Sequence, residues 1–226
     1  MFQNSKPRSI IGPLNIYGLL ALAGVVGPIV LIIANLIASF SVSDYNPIQD
    51  SISSLAWTPL GWLQSIGFLA IGLLIEVFAA GLFFSIHGAW GFRLGIGLLV
   101  CFGFGLLLIG AFREDPVGGS HTIQGTIHTV TAAIVFSIFP IASLLIAISL
   151  RKDSYWNGLF IHTIVVTSVA LTFVIGHIFL PAKPNWLGLY ERILVANTVI
   201  WVEIMAIRLL RLSLSATERL KRPKIF

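Results

Sequence analysis

Residues 9 to 43 contain no Lys, Arg, Asp or Glu. An uncharged apolar run of that length exceeds what a soluble core helix needs. It matches a helix crossing a hydrocarbon layer about 30 Å thick, which takes roughly 20 residues. Similar stretches recur through the chain. Of its 226 residues 57% are hydrophobic and 10% are charged, against about 25% charged in a soluble domain. A soluble fold of this size cannot hide so much apolar surface, because small domains bury only part of what they expose. Lipid requires backbone groups to be satisfied internally, by helices or by closed barrels. The runs are continuous rather than alternating, which selects helices. The expected fold is therefore all-α: a polytopic membrane protein built as a six-transmembrane-helix bundle.

The spans are expected at about 14–41, 61–86, 92–112, 121–150, 156–180 and 187–212, between a segment at 1–13 and a basic tail at 213–226. Lys6 and Arg8 resemble a signal n-region, but the following run is too long for a signal peptide and reads as an uncleaved first span. Thr58-Pro59 is expected to open span two and Ser120 to cap span four. Pro28 and Pro140 are expected to bend spans one and four.

Loop charge predicts the orientation. Eleven of the fourteen Lys and Arg fall in the N-terminal segment, the loops near 87–93 and 151–155, and the tail. The positive-inside rule then places both termini in the cytoplasm, N-in/C-in, in the cell membrane. Six cations lie in the C-terminal stretch from Arg208 to Lys224, so the net charge of +5 marks topology and anionic headgroups rather than nucleic acid. Trp57, Trp62, Trp186 and Tyr190 are expected at one interface, and Trp90, Tyr155 and Trp156 at the other. The glycines of span three, with Gly91 and Gly95 as G-x-x-x-G, predict close helix packing. The lone Cys101 excludes an internal disulfide and is expected to be a packing residue.

Polar residues gather in the three loops expected outside. The first holds Asp44, Tyr45, Asn46, Asp50, Ser51, Ser53 and Ser54, and the second Arg113, Glu114 and Asp115. His121, Gln124 and His128 share one face of span four. His177 lies near the end of span five, and Glu191 and Arg192 near the start of span six. Caps and turns explain Asp50, Ser51 and Asp115 equally well. Intramembrane ionisable groups point to function with a partner, here Glu191 with His128 or His177, and Arg192 with Asp115 or Asp50. His121, His128 and His177 could ligate zinc with Asp115 or Glu191. A zinc-bound water would then attack an ester or amide with Asp50 or Ser54 assisting. A Ser-His-Asp arrangement on Ser51, Ser53 or Ser54 lacks a surrounding G-x-S-x-G. Glu76, His162 and Glu203 form a deeper group, either a proton relay or a structural Glu203–His162 hydrogen bond.

The stretches SDYNPIQDSISSLAWTPLGW, GAFREDPVGGSHTIQGTIHTV and LGLYERI resemble the prokaryotic integral-membrane family known as domain of unknown function 998. That resemblance implies a compact six-span bundle and no established activity. Its polar signature would be Asp50, Ser51, Ser54, Asp115, His121, His128, Glu191 and Arg192. A weaker similarity to the membrane hydrolases that include alkaline ceramidases implies a zinc site. The chain lacks that group's seventh span and its His-x3-His. Three functions follow as expectations: a polar pocket, facing out of the cytoplasm, for a lipid headgroup or small polar ligand; a metal-dependent hydrolase of a lipid ester or amide; or a proton-coupled transporter.

Overall fold

The computed structural model describes residues 15–116, 118–179 and 185–221. Among these it is entirely helical. The helices are α1 (Ile16–Phe40), α2 (Gly61–Ser85), α3 (Trp90–Ala111), α4 (Ile123–Leu150), α5 (Phe160–Phe179) and α6 (Leu187–Lys221), with 3₁₀ turns at Ser53–Trp57 and Asn157–Leu159. All six helices are long and apolar enough to cross a membrane. Their bounds lie within a few residues of the expected spans at most ends. The exception is α6, which continues past 212 to Lys221 as one helix.

Each helix packs on its neighbour in sequence, and α6 closes the ring against α1. The start of α1 and the late part of α6 meet directly. The Asn15 side chain caps α1 through Gly18 N–H at 3.0 Å, donates to Ser213 O at 3.4 Å, and accepts from Ser213 Oγ at 2.5 Å. This "terminal face" also carries the loops at 86–89 and 151–159. The loops at 41–60, 112–116 and 118–122, and residues 185–186 before α6, lie on the opposite, "far" face.

Lipid tails are as apolar as leucine, so close packing and polar contacts must hold the helices together. Glycine supplies the packing. A Cβ on Gly72 would lie 2.7 Å from Gly103 O, and one on Gly103 would lie 2.9 Å from Gly72 O. These two residues mark a close approach of α2 and α3. Gly95 and Gly105 serve α3 against α4 in the same way, whereas Gly91 and Gly97 have room around them. The expected G-x-x-x-G thus works at one glycine only. Polar contacts hold α5, the least buried span: Ser143 with Thr167 at 2.8 Å, Trp201 Nε1–H to Thr163 Oγ1 at 3.2 Å, and Asn197 Nδ2 to Val166 O at 3.0 Å. The bundle centre is filled by Phe78, Phe102, Phe139 and Trp201, all fully buried, with Phe139 edge-on to Trp201.

Several local expectations are corrected. Thr58 does not open α2. Its hydroxyl donates to Leu55 O at 2.8 Å and closes the 3₁₀ turn, and α2 starts at Gly61. Thr122, not Ser120, caps α4, accepting from Gly125 N–H at 3.0 Å. Tyr190 and Trp156 are buried packing residues, while Trp57, Trp62, Trp90, Tyr155 and Trp186 are exposed as an interfacial belt requires. Cys101 faces outward, because the glycines occupy the packing faces of α3.

Candidate functional site

The far face is organised around the loop between α1 and α2. Asn46-Pro47 makes the expected turn: Asp50 N–H donates to Asn46 O at 2.8 Å, and the Asp50 carboxylate accepts Asn46 N–H at 2.7 Å. Ser51 then starts the 3₁₀ turn. Its Oγ accepts Ser54 N–H at 2.9 Å and donates to Glu114 at 2.6 Å, while Ser54 Oγ donates to Ser51 O at 2.7 Å.

Helix α6 holds this loop from the other side. The Arg192 guanidinium donates through one nitrogen to Pro47 O at 2.7 Å, Asp50 O at 3.0 Å and Gly188 O at 3.0 Å, and through another to the Tyr45 hydroxyl. It also lies 5.4 Å from the centre of the Tyr45 ring. Glu191 accepts Ile52 N–H at 2.8 Å. Arg192 reaches Asp50 through its carbonyl, and among the described residues Glu191 bonds a backbone amide and not His128. Burial pushes the Tyr45 phenol above its ordinary pKa, against the lowering pull of Arg192.

Helix α4 supplies the third support. His128 is buried, with Nδ1 2.7 Å from Phe112 O and Nε2 2.9 Å from Ser53 Oγ. At the N-cap of the same helix, Asp115 accepts from Thr122 Oγ1 at 2.6 Å and Thr122 N–H at 3.0 Å. Those bonds hold the Asp115 carboxyl below its ordinary pKa. The exposed ring of His121 stands 3.8 Å from Asp115.

The expected histidine cluster does not assemble among the described residues. His121 points to solvent beside Asp115, and both ring nitrogens of His128 are committed to Phe112 and Ser53. The His177 side chain lies outside the described residues. Among those described, no three His, Cys, Asp or Glu side chains are placed to hold a metal ion. The deeper group is also unassembled. His162 Nε2 and Glu203 Oε2 are buried without a hydrogen-bond partner, so the expected bond between them is not made. Glu76 packs its stem against Gly103.

Two concavities flank the loop. One, of about 540 Å³, opens on the far face between Trp57, Arg113, Asp115, Ser120, Thr122 and Gln124. Its wall is fixed: Trp57 Nε1–H donates to Glu114 O at 2.9 Å, and the Arg113 guanidinium lies 5.5 Å from the Trp57 ring centre. The other, about 340 Å³, is a mostly apolar groove between α1 and α6, with Asn35 and Arg192 among its lining.

The family model for protein of unknown function (DUF998) matches residues 25–208. The chain belongs to this family. The match runs from within α1 to within α6, so the DUF998 domain includes the far-face loop and each support that grips it. The chain matches no curated protein and no solved structure.

Of the residues the sequence pointed to, Asp50, Ser51 and Ser54 lie in the far-face loop of this DUF998 bundle, and His128, Glu191 and Arg192 bond to it from α4 and α6. Asp115 instead bonds Thr122 and stands beside His121. Asp115 and Gln124 also line the open cavity. Tyr45 and Glu114 stood in the polar loops but were not singled out for the site, and Ser53 was weighed only as one of three serines for a Ser-His-Asp arrangement. Each completes a pair whose other half lies in a distant segment: Arg192, His128 and Ser51.

Proposed function

We propose that this DUF998 protein is a multi-pass protein of the cell membrane, with cytoplasmic termini, whose far-face cavity binds the zwitterionic headgroup of a phospholipid. The supporting observation is that Arg113 and Asp115 line one open cavity and are each held in place. The guanidinium suits a phosphate, and the carboxylate, ionised at neutral pH through its Thr122 bonds, suits an ammonium. Gln124 and Ser120 add neutral donors and acceptors. The volume falls within the roughly 300–1,000 Å³ usual for ligand sites. The terminal face carries Arg93, Arg151, Lys152, Arg208 and Arg211, and that charge supports the cytoplasmic orientation of the termini.

The test is native mass spectrometry of the purified full chain with phosphatidylethanolamine, phosphatidylglycerol and diacylglycerol of equal chain length. The zwitterionic lipid should be retained best, and Arg113→Ala should weaken its retention about tenfold, the equivalent of one charge-assisted contact. Equal retention of diacylglycerol, or an unchanged Arg113→Ala, would refute the reading. A C-terminal reporter found outside the cytoplasm would refute the orientation.

A further inference from the structure

Three serines crowd the 3₁₀ turn, and their hydroxyls differ. Ser51 donates to the Glu114 carboxylate, and Ser54 donates to Ser51 O. Ser53 alone meets an imidazole, with its Oγ 2.9 Å from His128 Nε2. The direction of that bond follows from the other side of the ring. Phe112 O can only accept, so the proton of a neutral His128 sits on Nδ1, which lies 2.7 Å from that carbonyl. The Nε2 lone pair therefore faces the Ser53 hydroxyl and accepts from it. A nucleophile within reach of a base, with the base oriented by a third group, is the arrangement that activates serine.

The orienting group here is the end of a helix. Phe112 is the C-cap residue of α3, and its carbonyl is among those left without an intrahelical partner. The C-terminal end of a helix carries partial negative charge and favours a cation beside it. Phe112 O thus acts as a positioning group, holding the tautomer and stabilising the imidazolium once a proton arrives. The buried His128 ring is shielded from bulk water, while Ser53 is only partly buried.

Depth narrows the substrate. Helix α4 has 28 residues, about 42 Å by its rise per residue, against a hydrocarbon core of about 30 Å. A helix centred in that core carries His128, five residues from its start, to the boundary between acyl chains and headgroups. The carboxylic ester of a bilayer lipid lies at that boundary.

We infer that Ser53 and His128 form a nucleophile–base pair that cleaves the carboxylic ester of a membrane lipid. Ser53 Oγ attacks the ester carbonyl carbon as its proton passes to His128 Nε2. The tetrahedral species collapses, the bond from carbonyl carbon to alkoxide oxygen breaks, and His128 returns the proton to the departing alcohol. Water then attacks the acyl-Ser53 ester, giving its proton to His128. The acyl–Oγ bond breaks, Ser53 is reprotonated, and a fatty acid leaves. None of these residues lines the headgroup cavity, so the inference does not depend on that proposal.

The test uses the full chain in detergent and in phospholipid vesicles. A fluorophosphonate probe should form one covalent adduct, mapped by mass spectrometry to Ser53. The adduct should be absent in Ser53→Ala and slowed at least a hundredfold in His128→Asn, while thermal unfolding confirms that both variants fold. If His128→Asn fails to fold, Ser53→Cys substitutes. Its thiol should alkylate faster than Cys101 in the same sample, and equal rates would count against activation. Vesicles of ester-linked phospholipid should release fatty acid, and ether-linked vesicles should not. An unlabelled Ser53 in folded protein, or full hydrolysis by Ser53→Ala, overturns the pair. Cleavage of a soluble ester with no release from vesicles overturns the lipid assignment.

Discussion

The Glu191 carboxylate accepts the backbone N–H of Ile52 at 2.8 Å, joining residues 139 positions apart. Ile52 is buried, so its amide has no water to turn to. Removing the acceptor should cost about 1–3 kcal/mol, the penalty of an orphaned buried donor. Glu191→Ala should lower stability by that amount in a thermal or denaturant unfolding series in detergent. Glu191→Gln keeps a carbonyl oxygen in place and should cost much less. Equal losses in the two variants would refute the role of the oxygen.

Arg192 grips the same loop through its planar fork. Lysine keeps the charge but cannot serve three carbonyls and the Tyr45 hydroxyl together. Arg192→Lys should therefore destabilise by about 1.5–3 kcal/mol, the range for a hydrogen bond to a charged group. It should also raise proteolytic cleavage between Tyr45 and Ser54. A variant cut no faster than the parent would show that the loop is held by other means.

The contact of Asp115 with Thr122 should respond to acid. The folded carboxyl sits below its ordinary pKa of 3.8 because Thr122 donates to it. The stabilisation is fully present above the ordinary value and disappears as pH falls through the lower folded one. Hydrogen exchange at the Thr122 and Gly125 amides, corrected for intrinsic rates, should accelerate in that acid window. Asp115→Asn should abolish the pH dependence.

Gly103 should tolerate no side chain. A Cβ there meets Gly72 O at 2.9 Å and the Glu76 stem at 3.0 Å, so Gly103→Ala should cost about 1–3 kcal/mol by overpacking. Gly97→Ala, with nothing within 4 Å of the new carbon, is the matched control and should leave unfolding unchanged or slightly improved. If the two alanines behave alike, the α2–α3 approach is looser than described.

The helical spans were legible because long apolar runs with few charges mark them. The far-face cluster was legible in part, because ionisable residues near helix ends stand out against an apolar background. Their partners were not. Glu191 and Arg192 bind backbone groups, and every residue except proline offers the same N–H and C=O, so composition cannot say which are used. Ser53 was one of three similar serines until the turn aimed each hydroxyl differently. Glu203 and His162 show the reverse error. Comparable depth suggested a bond, but depth does not fix the direction in which a side chain leaves its helix, and both atoms are left without partners.

The grip of α6 on the loop at Tyr45–Ile52 has a consequence for how the protein is made. Synthesis runs from the N-terminus, so this loop emerges well before Glu191 and Arg192 exist. Until the last helix enters the bilayer, the loop lacks the guanidinium and the carboxylate that fix it, and its polar groups stay open to water. Ring closure of α6 onto α1 and seating of this loop are therefore one late event in assembly. A nascent chain arrested before residue 191 should carry five inserted helices beneath an unseated loop, a form that cellular quality control can distinguish from the finished protein.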